Sequence, residues 1–449
     1  MFVRKLETTI VRSVTGGGLV INTDTGVSLT VNSTGLMFLR KISNRAQEVG
    51  VIVQELCNSF EDIEIHELEK DFIDFIKLMA DNQMVAIYEK QEDGNKYTLR
   101  TLHVDITREC NERCVHCYIP NSIKNKADSM SFGLFCRIVD EFVELGGEEI
   151  IISGGEPLIH PTVDLMINYC DKKGLDIALL SNLISLNTEL LDLFKSTNVK
   201  FIQTSVYSLR HSVHDGITKR TGSLQKTLSS IELLLKEGVA VHISCPIMQQ
   251  NMKDIESVIE FAKIKHVRLK AASLLLPKTD GDDSFLKDYS LRLEQQKRVI
   301  CRMMDLDKKY AEENLLEINQ NSCDLCDNPI YFLKSSLCTA GINSCAISPT
   351  GDVYPCPEWE SFNLGNVNKQ SLSNIWYDSP SLRVFRQINC QENFKECLEC
   401  DALDYCKRCL KFNEIPNKGE LLRINKQNCD YAWMVKSLVE EYIPNDNNR

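Results

Sequence analysis

Cys110-Asn-Glu-Arg-Cys114-Val-His-Cys117-Tyr118 concentrates more reactive chemistry than any other stretch of this chain. Three thiolates at C-x3-C-x2-C spacing can hold three irons of a four-iron cluster, leaving the fourth iron open to a small chelating ligand. A structural zinc ion would want four ligands, and of the flanking residues only His116 is placed as a fourth. Further on, Ile150-Ile-Ile-Ser-Gly154-Gly155-Glu156-Pro157 is an apolar run ending in a Gly-Gly pair. That pattern predicts a buried parallel strand running into a tight turn. Glycines there would let the backbone approach a ligand closely, and Glu156 would offer a carboxylate to an ammonium group.

Taken together, the two segments resemble the radical S-adenosylmethionine (SAM) enzymes. The resemblance implies that the amino and carboxylate groups of SAM occupy the open iron of a [4Fe-4S] cluster held by Cys110, Cys114 and Cys117. One electron from the cluster then splits the sulfonium, giving methionine and a 5′-deoxyadenosyl radical that abstracts hydrogen. The cofactor carries the hard chemistry and the protein positions it. On the family pattern, SAM contacts fall on Tyr118, on Gly154, Gly155 and Glu156, on Asn182 in Leu179-Leu-Ser-Asn, and on Ser205 in Thr204-Ser-Val-Tyr207. The family commonly reads Ser-Leu-Asp at this last place. The serine is kept, and Tyr207 replaces the acid, which leaves an acidic ribose contact without a residue here. Arg220, in His214-Asp-Gly-Ile-Thr-Lys-Arg220-Thr-Gly222-Ser223, reads either as a partner for the SAM carboxylate or as an exposed surface arginine. Cys245, at a predicted strand end, reads as a core sulfur.

More than half of the 19 cysteines lie between positions 323 and 429. Cys338 precedes Gly351-Asp-Val-Tyr-Pro-Cys356, a Gly-x4-Cys hairpin. Cys397-Leu-Glu-Cys400, Cys406-Lys-Arg-Cys409 and Cys429 follow. Two C-x2-C pairs this close do not suit one zinc ribbon, which wants a longer spacer; two interleaved sites suit them better. The array is similar to the SPASM extension of radical SAM enzymes, which holds two auxiliary four-iron clusters. The family usually has three residues inside its last cysteine pair, where this chain has two. Carried over, Cys397, Cys400, Cys406 and Cys429 would ligate an outer cluster, and Cys338, Cys356 and Cys409 an inner one. Cys326, Cys323 and Cys345 compete for the inner cluster's fourth position, or it stands open to substrate. With the SAM-binding cluster, the count is three. Two zinc ions are the competing reading of the array.

These groups need a scaffold, and the texture of the chain supplies three segments. The 449 residues exceed one domain by the usual length prior. Residues 1–92 hold one cysteine, Cys57, and alternate short strands, helices and a closing strand, which predicts a winged-helix-like module. Its run Gly18-Leu-Val-Ile-Asn, Thr25-Gly26 and Asn32-Ser-Thr-Gly35, with the helix Phe72-Ile-Asp-Phe-Ile-Lys-Leu-Met79, resembles the PqqD-like peptide-recognition domain. The alternative is a plain cap on the rest of the chain. Gln91-Glu-Asp-Gly-Asn-Lys96 is a polar break. Residues 97–320 alternate strand and helix, as a parallel sheet with crossover helices does. Six strand candidates, beginning at Leu102, Glu149, Asp176, Phe201, Ala240 and His266, match the partial (β/α)6 barrel of the resemblance. Such barrels gather their sites at strand C-termini. Residues 321–449 form the cysteine-rich SPASM segment. The fold class is therefore α/β, with a small module before the barrel.

A net charge of −12 opposes a nucleic-acid partner. The N-terminus lacks an apolar secretion segment, and no run is long and apolar enough to span a membrane. Many cysteines in such a chain argue for reduced, metal-binding thiols in the cytoplasm. The three resemblances together imply a maturase acting on a ribosomally made precursor peptide with a leader, supplied with electrons by a flavodoxin- or ferredoxin-type donor. The expected product is an intramolecular crosslink, a thioether ahead of a carbon–carbon bond. The alternatives are a sulfatase-type maturase forming formylglycine and a zinc-stabilised leader-binding scaffold. No catalytic side chain is singled out.

Overall fold

The computed structural model describes residues 1–6, 8–14, 16–42, 47–57, 60, 65–88, 97–120, 128–306, 336–406, 408–414 and 416–442. They fall into two compact units, Met1–Tyr97 and Thr98–Arg449. The polar break at 91–96, the expected boundary at 320 and both Cys323 and Cys326 lie outside the described residues.

The first unit carries two three-stranded antiparallel sheets. One orders Gln47–Glu48 (β5), Phe2–Lys5 (β1) and Val85–Tyr88 (β6). The other orders Thr9–Val14 (β2), Gly17–Asn22 (β3) and Ser28–Asn32 (β4). Helices α1 (Ser33–Lys41), α2 (Val49–Cys57) and α3 (Ile65–Asp81) pack on them. The Asn32 side chain caps α1 by accepting from Gly35 N at 2.8 Å, the usual use of an Asx residue at a helix start. Gly35 is needed there, because a Cβ would sit 2.9 Å from the Phe75 ring. Leu68, Phe72, Ile76 and Met79 form the buried stripe of α3 at helical spacing. Phe38 meets Phe72 and Phe75 edge-on at 5.1 and 5.4 Å. Strand β1 is absent from the sequence reading, because Phe-Val-Arg-Lys alternates too briefly to show. Pairing on both sides makes it a central strand.

In the second unit six parallel strands run in chain order. They are β7 (Thr101–Thr107), β8 (Glu149–Gly154), β9 (Asp176–Leu180), β10 (Val199–Ser205), β11 (Val241–Pro246) and β12 (Arg268–Ala272). Crossover helices include α4 (Phe132–Glu144), α5 (Val163–Lys172), α6 (Thr188–Ser196), α7 (His211–Thr218), α8 (Ser223–Lys236) and α9 (Ile255–Ile264), with α10 (Leu293–Leu306) after β12. This is the partial (β/α)6 barrel that the alternation predicts. The C-terminal segment does not stand apart from it. Strand β13 (Ser344–Ile347) pairs in parallel with β7, and β14 (Asp352–Tyr354) and β15 (Gly365–Asn366) continue the same sheet. Arg108, buried at the end of β7, bridges Asp105 at 3.3 Å and Glu360 of the C-terminal segment at 2.6 Å. Helix α11 (Lys426–Tyr442) packs against α10.

Candidate functional site

The cysteine loop leaves β7 and is held on two sides. Beneath it, Gly155 N donates to Thr107 O at 2.7 Å and Glu156 N to Glu109 O at 2.8 Å. A Cβ on Gly154 (φ +131°) would lie 2.3 Å from Thr107 O, and one on Gly155 2.0 Å from Glu109 O. The Gly-Gly pair therefore admits the protein's own backbone at the root of the cysteine loop, in addition to any ligand. On the other side, Arg113 N and Val115 N donate to Thr218 O and Ile217 O at the end of α7, at 2.9 and 3.0 Å. Arg220 Nη1 donates to Asn111 O at 2.7 Å. Arg220 thus braces the loop from outside and does not line the cavity beside it.

That cavity, about 380 Å³, opens at the C-terminal ends of the strands. Cys110, Cys114, Cys117, Tyr118, Gly154, Gly155, Glu156, Asn182 and Ser205 all line it. Glu156 is fully buried. Its Oε1 accepts from Leu158 N at 2.9 Å and Ser181 Oγ at 2.7 Å, and its Oε2 from Asn182 N at 2.7 Å. Burial pushes its pKa up to about 6, against the pull of these donors. Asn182 reaches back to Asn111 Oδ1 at 2.6 Å. Burial also pushes the Cys110 thiol up to about 12 and Cys114 well above its usual value. Along β11, Ser244 and Pro246 face the cavity, and Cys245 turns into the core with no exposed surface, as strand alternation requires.

The sequence gives no site role to several lining residues. Glu112 is buried with its Oε2 3.5 Å from Cys114 Sγ, and burial raises its pKa to about 7. Thr204 Oγ1 is buried without a protein partner among the described residues. Tyr207, standing where an acid is usual, packs between His116 and His214 at ring distances of 5.0 and 5.2 Å. Glu358, two residues past Cys356, closes the cavity from the C-terminal segment. Burial lifts it to about 7, with Asp105 adding to the rise.

Seven of the C-terminal cysteines sort into two neighbourhoods. Charge interactions link Cys338, Cys356 and Cys409 to one another, with Glu358 beside Cys356 and Cys409. A separate set links Cys397, Cys400, Cys406 and Cys429. Cys345, in β13, is buried, and the charged group that acts on it is Arg386 rather than another cysteine.

The sequence profile of the radical SAM superfamily matches residues 104–262. This chain is a radical SAM enzyme. The profile of an iron–sulfur cluster-binding (SPASM) domain matches residues 338–409, and that of coenzyme PQQ synthesis protein D (PqqD) matches 17–85. Among curated relatives, the antilisterial bacteriocin subtilosin biosynthesis protein AlbA of Bacillus subtilis is 26% identical, over 80% of this chain and 79% of that protein. An AdoMet-dependent heme synthase of Methanosarcina barkeri is 26% identical, over 69% of this chain and 90% of its own length. Streptococcus suis SuiB, solved bound to its precursor peptide SuiA, shares the fold at 15% identity and a TM-score of 0.58, covering 94% of this chain and 100% of that one. The radical SAM enzyme's donor sets suit iron: a buried thiol resists ionisation until a cation replaces its proton. Ligation would draw each set inward, since among the described residues no three His, Cys, Asp or Glu side chains form a ready-made ion site. No helix among the described residues is long and apolar enough to cross a membrane.

Proposed function

We propose that this radical SAM enzyme installs an intramolecular crosslink in a ribosomally made precursor peptide. What carries the reading is the presence of the PqqD match on one chain with the radical SAM and SPASM matches. AlbA and SuiB, named for bacteriocin biosynthesis and for a precursor-peptide complex, support it. Cys110, Cys114 and Cys117 would hold the SAM-binding cluster. Cys397, Cys400, Cys406 and Cys429 would hold the outer auxiliary cluster, and Cys338, Cys356 and Cys409 the inner one. Cys345 is buried with Arg386, not another cysteine, as the charged group acting on it, which favours Cys326, Cys323 or an open position for the fourth ligand. An open position favours a thioether, because a substrate cysteine could take it.

When bound, SAM and its cluster supply the radical that removes a hydrogen atom from the substrate. The chain's own groups do the rest. Glu156 holds the ammonium end of SAM, and Asn182 and Ser205 flank it. The Tyr207 ring, wedged between His116 and His214, holds the loop that carries Cys114 and Cys117. Glu358 bounds the substrate space from the SPASM side. A crosslink costs the peptide two hydrogens. One leaves as the abstracted atom, and the other as a proton plus an electron; a flavodoxin- or ferredoxin-type donor would supply the one electron that SAM cleavage consumes, and the electron released by the peptide balances it.

Anaerobic reconstitution should give about twelve irons per chain from three four-iron clusters. Changing Cys110, Cys114 and Cys117 together to Ala should remove roughly four irons and all SAM cleavage. Normal 5′-deoxyadenosine production by that variant would sink the assignment. The precursor should lose the mass of two hydrogens per crosslink; an aldehyde on the product would support formylglycine formation instead.

A further inference from the structure

Arg408 sits between Cys406 and Cys409, and its Nε and Nη1 are buried without a protein acceptor among the described residues. A guanidinium keeps its charge at any working pH, and each buried N–H left without an acceptor is costly. Its surroundings are sulfur. Its charge acts on Cys406, Cys397 and Cys400, with Asp404 contributing less. The Asn428 amide adds an N–H···S contact to Cys406 at 3.6 Å. Glu396 and Asp430 act on the outer set as well, but among the described residues no arginine acts on the inner set's cysteines. There the Glu358 carboxylate faces Cys356 and Cys409, and Lys411 offsets it in part.

We propose that Arg408 sets the reduction potential of the outer auxiliary cluster, its two buried N–H groups donating to cluster sulfurs so that the outer site is reduced more readily than the inner one. The inference rests on assigning Cys397, Cys400, Cys406 and Cys429 to a four-iron cluster. Reduction adds negative charge, which a fixed neighbouring cation favours and a carboxylate opposes. Hydrogen bonds to the sulfurs tune such clusters in the same sense. With both clusters in place, an electron given up by the inner one would be taken by the outer one and then by a one-electron carrier protein. The gradient runs away from the substrate.

The test is a reductive titration of the reconstituted full chain, followed by electron paramagnetic resonance, on wild type, R408Q and R408K. R408Q should move one of three midpoint potentials to a more negative value at unchanged iron content. R408K should move it less, since lysine keeps the charge but loses the fork. Three unmoved midpoints in R408Q overturn the inference, as does loss of iron in both variants, which would make the guanidinium an assembly element. If R408Q alone loses iron, R408K carries the decision, and an unmoved midpoint there overturns it. A wild-type chain with fewer than three clusters overturns the underlying assignment before any variant is read.

Discussion

Glu156 has no exposed surface, and three protein donors reach its two carboxylate oxygens. An ionised carboxylate offers about four acceptor positions, so one remains for the ammonium of SAM. Glu156→Gln replaces an oxygen with an NH2 that must face one of those donors. SAM affinity should fall about ten- to a hundredfold, the worth of one charge-assisted hydrogen bond at about 1.5–3 kcal/mol. The melting temperature should fall as well, because the Leu158 turn and the Ser181–Asn182 segment lose an acceptor. Calorimetric SAM binding beside a thermal melt separates the two effects. An unchanged dissociation constant with a lowered melting temperature would assign Glu156 to the fold alone.

Among the elements, α7 holds the cysteine loop from the side opposite the Gly-Gly turn, a role its sequence alone does not show. Its last carbonyls hold the cysteine loop, and His214 on the same helix is buried with Nδ1 accepting from Tyr207 N at 3.3 Å. Burial lowers the His214 pKa from 6.5 to about 4. The fold therefore favours neutral His214. Its contribution is complete above pH 6.5 and is lost as pH falls from 6.5 toward 4, by at most about 1.4 kcal/mol per pH unit. His214→Asn keeps an acceptor for Tyr207 N and removes the titration. Stability measured between pH 7 and 4.5 should fall less steeply in this variant than in wild type. Parallel curves would place the acid sensitivity elsewhere, His103 being the other histidine whose pKa desolvation lowers to about 4.

On the scale of the whole molecule, the unit Met1–Tyr97 has its own core around Phe38, Phe72 and Ile76, and every cysteine assigned to a cluster lies in Thr98–Arg449. Deleting residues 1–92 should leave iron content and uncoupled SAM cleavage intact. Modification of a leader-bearing precursor should fall sharply, because the leader would bind by adding a strand to an exposed sheet edge of that unit, and the core peptide alone binds weakly. Mass spectrometry of the precursor after fixed incubation times measures this. Undiminished modification by the truncated enzyme would reduce the first unit to a structural cap.

Local spacing picked out the cysteine and glycine motifs. C-x3-C-x2-C is meaningful because three thiols so close in sequence are close in space in almost any loop. Gly-Gly-Glu-Pro after an apolar run names a strand end for the same reason. The six barrel strands were legible because short apolar runs, continuous in Ile150–Ile152 and alternating in Val241–Cys245, recur between helical stretches. The tertiary structure decided whatever depends on residues far apart in the chain. Gly154 and Gly155 are small because the backbone of Thr107 to Glu109 lies on them. Arg220 braces Asn111 O across 109 positions. Glu112 and Glu358 converge on one cavity, and β13 joins the barrel sheet beside β7. No periodicity encodes these placements, since each follows from which surfaces the packed core brings together.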